Sequence, residues 1–474
     1  MLETAPLYHQ LADQIHALIR AGTLRAGDRV PSVRRLSNQQ RVSVSTVLQA
    51  YQRLEDIGVI EARPQSGYYV RRPAATMPEP EPSKPPRRAL NVEVNALADA
   101  VLAHAADPGV VAFGSACAAP ELFQLERVRR VLSSVARRDR GALGRYGLPP
   151  GTERLRRAVA RRALDWGCRI DHRHLVTTTG CMEAINICLR AVTKPGDLVA
   201  LESPTYYGFL QILQTLGLRA LEIPTHPRTG ISLEALELAL TEHPVKAVLV
   251  MPNVSNPIGA TMSDAAKKRL VELLASKNVP LIEDHIYAEL QFESPAPRPA
   301  KAFDRAGNVM LCSSFSKTLS PGLKVGWIEP GKWGEQVRML KWVVSGGQNE
   351  LVELAVAELI DSGGYERSLR QLRRRFEAQI DTARGVIAGS FPRGTRVTRP
   401  SGAYILWVEL PKGCDSVALF EKLLERGITI APGPMFSASQ RYRNCMRLSI
   451  GQAWSNREER ALREIGRLAG ECEP

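Results

Sequence analysis

A run of prolines constrains this chain more than any other feature. Between Arg71 and Arg88, six of eighteen residues are proline, and almost none of the others can build a core. Each proline fixes φ and removes a backbone donor, so the segment reads as an extended, semi-stiff spacer. Its position predicts a small body over residues 1–72, a spacer over 73–88 and a large body over 89–474. At roughly 100 to 200 residues per domain, the full length allows two to four domains with ample chain for a sizeable core.

Composition narrows the class. Hydrophobic residues at 44% and charged residues at 24% suit a soluble globular protein. The longest apolar stretches fall far short of the ~20 residues a membrane span needs, and the first residues carry no secretory pattern. Eight cysteines are scattered without a C-x-x-C pair, which argues against a disulfide scaffold or a metal module and fits a reducing cytoplasm. The net charge of +14 suggests a polyanionic partner without proving one. Residues 1–88 hold 13 basic and 8 acidic residues, or +5, which leaves +9 on the remainder.

The small piece reads as helices followed by a hairpin. Leu7, Leu11, Ile15, Leu18 and Ile19 recur at helical spacing and stop before Gly22. Ser32 can cap a short second helix through Val33 and Leu36. Ser43 can cap a third, whose stripe is Val47, Ala50, Tyr51, Leu54 and Ile57, closed by Gly58. Val59–Arg63, a turn at Pro64–Gly67 and Tyr68–Arg71 then alternate like a two-stranded wing. This is the pattern of a winged helix-turn-helix, although a small interaction domain that binds no nucleic acid would share it.

In the large piece, Leu198–Glu202, Ala247–Met251, Pro280–Glu283 and Val309–Ser313 read as buried strands between helices rich in Leu, Ala, Arg and Glu. The alternation predicts an α/β fold with a mostly parallel sheet and a ligand site at the strand ends. Four motifs stand at those ends, in the order Glu202–Tyr207, Pro252–Gly259, Glu283–Tyr287 and Ser313–Gly326. Taken singly, each motif has a structural explanation. Together they suit pyridoxal 5′-phosphate, which needs an amine for its aldehyde, a carboxylate for its ring nitrogen, a stacking aromatic and donors for its phosphate.

The run PLYHQLADQIHALIRAGTLRAGDRVPSVRRLSNQQRVSVSTVLQAYQRLEDIGVIEARPQSGYYV resembles the GntR family of bacterial regulators. The resemblance implies that the third helix enters the major groove and the wing tip touches the minor groove. By position, Arg34, Ser43, Ser45 and Thr46 would contact phosphates or bases, and Gly67 would let the wing approach the backbone. Val44 stands where the family commonly has arginine. A valine can touch a thymine methyl but cannot pair with guanine in bidentate fashion.

Residues from about 90 to 470 resemble a fold-type I aminotransferase, with a large part over about 120–345 and a small part over about 89–119 and 380–474. This implies Lys317 as the Schiff-base lysine, Asp284 as partner of the ring nitrogen, Asn256 and Tyr287 at the ring oxygen, and Tyr206 stacked on the ring. Ser314, Lys324 and the Gly180-Cys181-Met182 backbone would hold the phosphate, and Tyr146 would reach a neighbouring subunit's phosphate. Arg447 would clamp a carboxylate. Lys324 replaces the usual arginine, Met182 a frequent glutamine and His285 a common acidic residue, His285 being read as structural.

The two resemblances joined by a linker are those of the MocR subfamily. They imply a cytoplasmic bacterial regulator that binds double-stranded operator DNA as a head-to-tail homodimer. It would hold pyridoxal phosphate as an aldimine on Lys317 and sense an amine, an amino acid or the cofactor itself. The alternative is a working aminotransferase with a secondary DNA-binding module.

Overall fold

A computed structural model describes residues 6–56, 59–63, 66–71, 77–93, 95–104, 107–293 and 296–471. The chain separates into two compact units, Met1–Thr76 and Met77–Pro474.

The small unit has helices α1 (Leu7–Arg20), α2 (Val33–Gln40) and α3 (Val44–Asp56), then strands β1 (Ile60–Arg63) and β2 (Gly67–Val70). Ser32 Oγ accepts from Arg35 N at the start of α2, and Ser43 Oγ accepts from Thr46 N at the start of α3. Val47, Ala50, Tyr51 and Leu54 are all fully buried, as their spacing predicts. Ile57, Gly58 and the turn at Pro64–Gln65 lie outside the described residues. The wing pairs antiparallel, with Ile60 opposite Val70 and Arg63 opposite Gly67.

One expectation needs correcting. Leu7 and Leu18 are exposed at 63% and 45%, and the buried face of α1 is Leu11, Ala12 and Ile15. At about 100° per residue those two leucines fall at the edge of the apolar arc. Ala12, too small to draw attention as a core residue, lies inside it. Tyr51 anchors this core: its hydroxyl donates to Pro31 O at 2.5 Å and its ring meets Tyr68 edge-on at 4.8 Å. Tyr51→Phe would orphan that carbonyl, so the small unit's unfolding transition in the full chain is expected to lose about 1–2 kcal/mol by denaturant titration.

The large unit is built on an eight-stranded sheet. In spatial order its strands are Val176–Thr178, Gly326–Glu329, Val309–Ser314, Leu281–Asp284, Val245–Val250, Leu198–Ser203, Arg219–His226 and Gly230–Ile231. The four strands expected from sequence occupy the middle of the sheet, parallel to one another and buried almost throughout. Gly326–Glu329 runs antiparallel between Val309–Ser314 and Val176–Thr178, a short strand that its glycine hides from sequence reading. A second, four-stranded antiparallel sheet (Arg396–Val397, Ile405–Glu409, Cys445–Ser449, Ala431–Pro432) packs with helices Gly364–Ser390, Ser416–Leu424 and Asn456–Gly470 into a separate apolar cluster.

Residues 77–88 of the proline run make contacts with the large unit. Residues 72–76 lie outside the described set. From Ser83 on, the chain bonds to the outer side of strand Arg219–His226, where Ser83 N donates to Thr225 O at 3.0 Å and Leu90 exchanges two backbone bonds with Ala220. Val397 N donates to Pro78 O, and Glu81 pairs with Arg396 at 2.9 Å. Extended prolines are the backbone that a sheet edge can accept as a cover without inviting further pairing.

Candidate functional site

Four adjacent parallel strands end side by side at Ser203, Val250, Asp284 and Ser314, so the four motifs that follow them converge on one rim. Asp284 is the last residue of its strand and lies opposite Cys312. It is 3% exposed, and its Oδ1 accepts from Ile286 N at 2.9 Å and from the Cys181 thiol at 3.3 Å. Burial pushes its carboxyl up to about 6, while the Ile286 amide, Cys181 and Lys317 pull the other way. Lys317 Nζ donates to Ala116 O at 2.7 Å and stands 5.9 Å from the Tyr287 ring centre. The same carbonyl accepts from Tyr404 OH at 3.1 Å, and Tyr404 meets Tyr287 edge-on.

Among the buried side-chain atoms with no partner among the described residues are atoms of Asn256 and Arg447. Asn256, 4% exposed, has an orphaned Oδ1. Arg447 is wholly buried; one terminal nitrogen donates to Gly114 O, while Nε and Nη1 have no acceptor. Gly180, at φ +82°, precedes the helix Cys181–Val192, and a Cβ there would meet nothing within 4 Å. Helix first-turn amides have no intrahelical acceptor, so an open helix start of this kind suits an anion. Ser314 is buried and accepts from Ser316 N, whereas Lys324 is exposed, with its backbone left-handed at φ +52°.

Tyr206 packs on Tyr207 and Phe209 at 4.8 and 5.5 Å, and burial raises its hydroxyl. Met182 is 39% exposed and Tyr146 87% exposed. His285 is buried beside the Trp166 ring at 5.1 Å, and burial pulls it down to about 3, which keeps it neutral. In the small unit, Arg34, Ser43, Val44 and Ser45 are exposed and Thr46 is half-buried. Ser43 Oγ is within 2.7 and 2.8 Å of the Ser45 and Thr46 hydroxyls. Gly67 has a nearer reason to be glycine than any DNA contact: at φ +103°, a Cβ would fall 3.2 Å from the Arg29 guanidinium.

Sequence reading missed the backbone carbonyls of Ala116 and Gly114, because backbone has no residue signature, and the side-chain roles of Cys181 and Tyr404. Among the described residues, no group of His, Cys, Asp and Glu could hold a metal, and no helix is long and apolar enough to cross a membrane.

A second buried carboxylate lies behind the rim. Burial pushes Glu202 up to about 8 against the lowering pull of the Met251 amide, which donates to it at 2.9 Å, and Asp284 adds repulsion. Folding therefore retains a proton that the unfolded chain releases above about pH 4.5, so stability falls as pH rises from there towards 8, by up to roughly 1.4 kcal/mol per pH unit. Glu202→Gln keeps an acceptor for Met251 and removes this dependence. Its denaturant midpoint is expected to match the wild type near pH 5 and exceed it at about pH 8.5.

An amine, a buried carboxylate, an orphaned amide oxygen and an open helix start are groups that an aminotransferase-type cofactor site would use, here in a chain that also carries a winged helix. The model for aminotransferase class I and II matches residues 117–461, and that for bacterial regulatory proteins of the gntR family matches residues 7–70. The HTH-type transcriptional regulators YdcR and YjiR of Escherichia coli, both named as uncharacterized, are 40% and 38% identical. The matches cover 98% and 97% of this chain and 99% and 98% of those proteins. LysN, the α-aminoadipate aminotransferase of Thermus thermophilus, superposes with a TM-score of 0.72 at 28% identity, over 77% of this chain and 93% of that one. The multiple substrate aminotransferase of Thermococcus profundus gives 0.72 at 25%, over 79% and 93%.

The chain belongs to the MocR-like transcriptional regulators, in which a gntR-type reader precedes an aminotransferase class I and II domain. The cofactor of that domain is pyridoxal 5′-phosphate. The residues fit it: the orphaned Asn256 oxygen, the unfilled space at Gly180 and the buried Asp284 are the groups such a ring and phosphate require.

Proposed function

We propose that the large unit carries pyridoxal phosphate covalently on Lys317 and senses an amine, an amino acid or the cofactor itself, and that the small unit transmits the result to operator DNA. The observation that carries this reading is the coexistence of unpartnered polar groups on the strand-end rim with an exposed hydroxyl cluster at the start of α3. Asp284 would face the ring nitrogen with its free oxygen, Asn256 and Tyr287 the ring oxygen, and Tyr206 the ring face. Ser314, Lys324 and the Gly180–Met182 amides would hold the phosphate. When bound, the cofactor supplies an aldehyde and an electron-withdrawing ring.

The chain's own groups prepare the rest. With its carboxyl at about 6, Asp284 is ionised at neutral pH and can keep a ring nitrogen protonated. The Ala116 carbonyl holds the Lys317 amine on the rim. Arg447 offers two unpaired nitrogens to a carboxylate on the effector.

A homodimer is part of the reading. Leu143, Leu148, Met339, Trp342 and Val343 are each 51–69% exposed, and such exposed large apolar side chains support pairing with a second copy. In a head-to-tail pair Tyr146 would reach the partner's phosphate. In the reader, Arg34→Ala is expected to weaken binding to all DNA sequences alike and to lower the salt slope by about 1, read from affinity against salt concentration. The cell compartment in this reading is the bacterial cytoplasm.

The deciding experiment is a spectral titration of the holoprotein with amines and amino acids, run beside DNA binding at one salt concentration. An amine that changes the spectrum and leaves DNA affinity untouched across the whole panel would sink the sensor. A second reading, a turning-over aminotransferase, is favoured by the presence of Lys317, Asp284 and the two unpaired nitrogens of Arg447 in one chain. Pyridoxamine phosphate formed at enzymatic rates from an amino acid would select it.

A further inference from the structure

We infer that Gln348 is a positioning residue that holds the phosphate cradle in shape, so that its amide governs how much of the cofactor's affinity comes from the phosphate. The inference rests on the reading that Gly180 and Lys324 face that phosphate. Gln348 lies between helices Gly334–Ser345 and Glu350–Asp361, and no motif marks it. Its Nε2 donates to Thr178 O at 2.8 Å and to Lys324 O at 3.3 Å. Its Oε1 accepts from Thr179 Oγ1 at 3.0 Å and from Lys341 Nζ at 3.2 Å. An amide side chain has two donors and two acceptor positions, and all four are used.

These bonds join the two segments expected to touch the phosphate. Thr178 and Thr179 lead directly into Gly180, and Lys324 belongs to the turn after Ser314. Both segments carry left-handed backbone, at Gly180 (φ +82°) and Lys324 (φ +52°). For a lysine that conformation is unfavourable and persists when its surroundings impose it. Gln348 grips the carbonyl of that very lysine.

The anchor behind Gln348 is itself firm. Lys341 is fully buried and also donates to Glu183 Oε2 at 2.9 Å and Ser345 Oγ at 2.7 Å. Glu183 in turn accepts from Thr179 N at 2.5 Å. The backbone of Gln348 reaches the other way: its N–H donates to Gly147 O at 2.7 Å, and a Cβ on Gly147 would fall 1.9 Å from the Gln348 carbonyl. One residue thus ties the helix start, the Lys324 turn and the loop of Tyr146.

Pyridoxal, which has the same ring and aldehyde but no phosphate, separates a phosphate role from a general one. In full-length apoprotein, Gln348→Leu is expected to lose about tenfold in affinity for pyridoxal phosphate, the scale of an outer-shell partner, and to keep its affinity for pyridoxal within about twofold. Thr179→Val, at an exposed position where folding is safe, removes one of the four bonds and is expected to move the ratio the same way by about two- to threefold. Parallel weakening of both ligands, or no change in either, would overturn the inference. A wild type that binds pyridoxal as tightly as pyridoxal phosphate would instead overturn the phosphate reading beneath it.

Discussion

Lys317→Ala is expected to leave a folded protein that no longer retains pyridoxal phosphate through gel filtration, with complete loss of the visible absorbance of the bound cofactor. The side chain is half-buried, and its one hydrogen bond among the described residues is to Ala116 O, which keeps Tyr404 as a second donor. Removing it leaves no buried orphan, so stability should change by no more than about 1 kcal/mol. The covalent hold disappears entirely. What remains is the contribution of Asp284, Asn256, Ser314 and the helix start, detectable as weak equilibrium binding at high cofactor concentration. If the variant kept the absorbance through gel filtration, another amine would have to be the attachment point. If it lost the absorbance yet regulated its promoter with an unchanged effector response, covalent capture would have no part in the signal.

The four central strands and their order of motifs were legible because strands buried on both faces read as unbroken apolar runs, and the chemistry sits at their ends. Lys317, Asp284 and Asn256 could be named as candidates for the same reason. Gln348, Ala116 and Gly114 were not: one makes its hydrogen bonds from a distant loop and the others offer backbone carbonyls. The α1 face was misplaced because Leu7 and Leu18 outweigh Ala12 in any hydrophobic count, whereas packing favours the residue that lets helices approach. The proline run was read as an extended, semi-stiff spacer, and its contacts with Arg219–His226 and Arg396–Val397 were not foreseen. Proline content reports backbone shape, but the edge of Arg219–His226 needing a cover comes from a sheet assembled by residues more than 100 positions away. Cys181 was expected to act through its backbone, and its thiol contact to Asp284 depends on a helix and a strand meeting, which spacing alone does not reveal.

Arg447→Leu is expected to separate stability from recognition. A wholly buried guanidinium with two unpaired nitrogens carries an uncompensated desolvation cost in the absence of a ligand. Its neighbours are apolar on one side, with the Phe436 ring 5.6 Å from the guanidinium carbon. A leucine fills much of that volume without the charge, at the cost of orphaning Gly114 O, worth about 1–2 kcal/mol. The two effects oppose each other, so the denaturant midpoint of the ligand-free variant should stay level or rise. Binding should move far in the other direction. Losing a buried, bidentate charge partner costs about 2–5 kcal/mol, or roughly 30- to 4,000-fold, for an amine bearing a carboxylate. The same amine without its carboxylate should bind wild type and variant alike. Arg447→Lys keeps the charge and loses the planar fork, so it should fall between the two. A sharp drop in the midpoint of Arg447→Leu, with carboxylate discrimination intact, would assign the guanidinium to the architecture of the small part and leave the effector's anchor to be sought elsewhere on the rim.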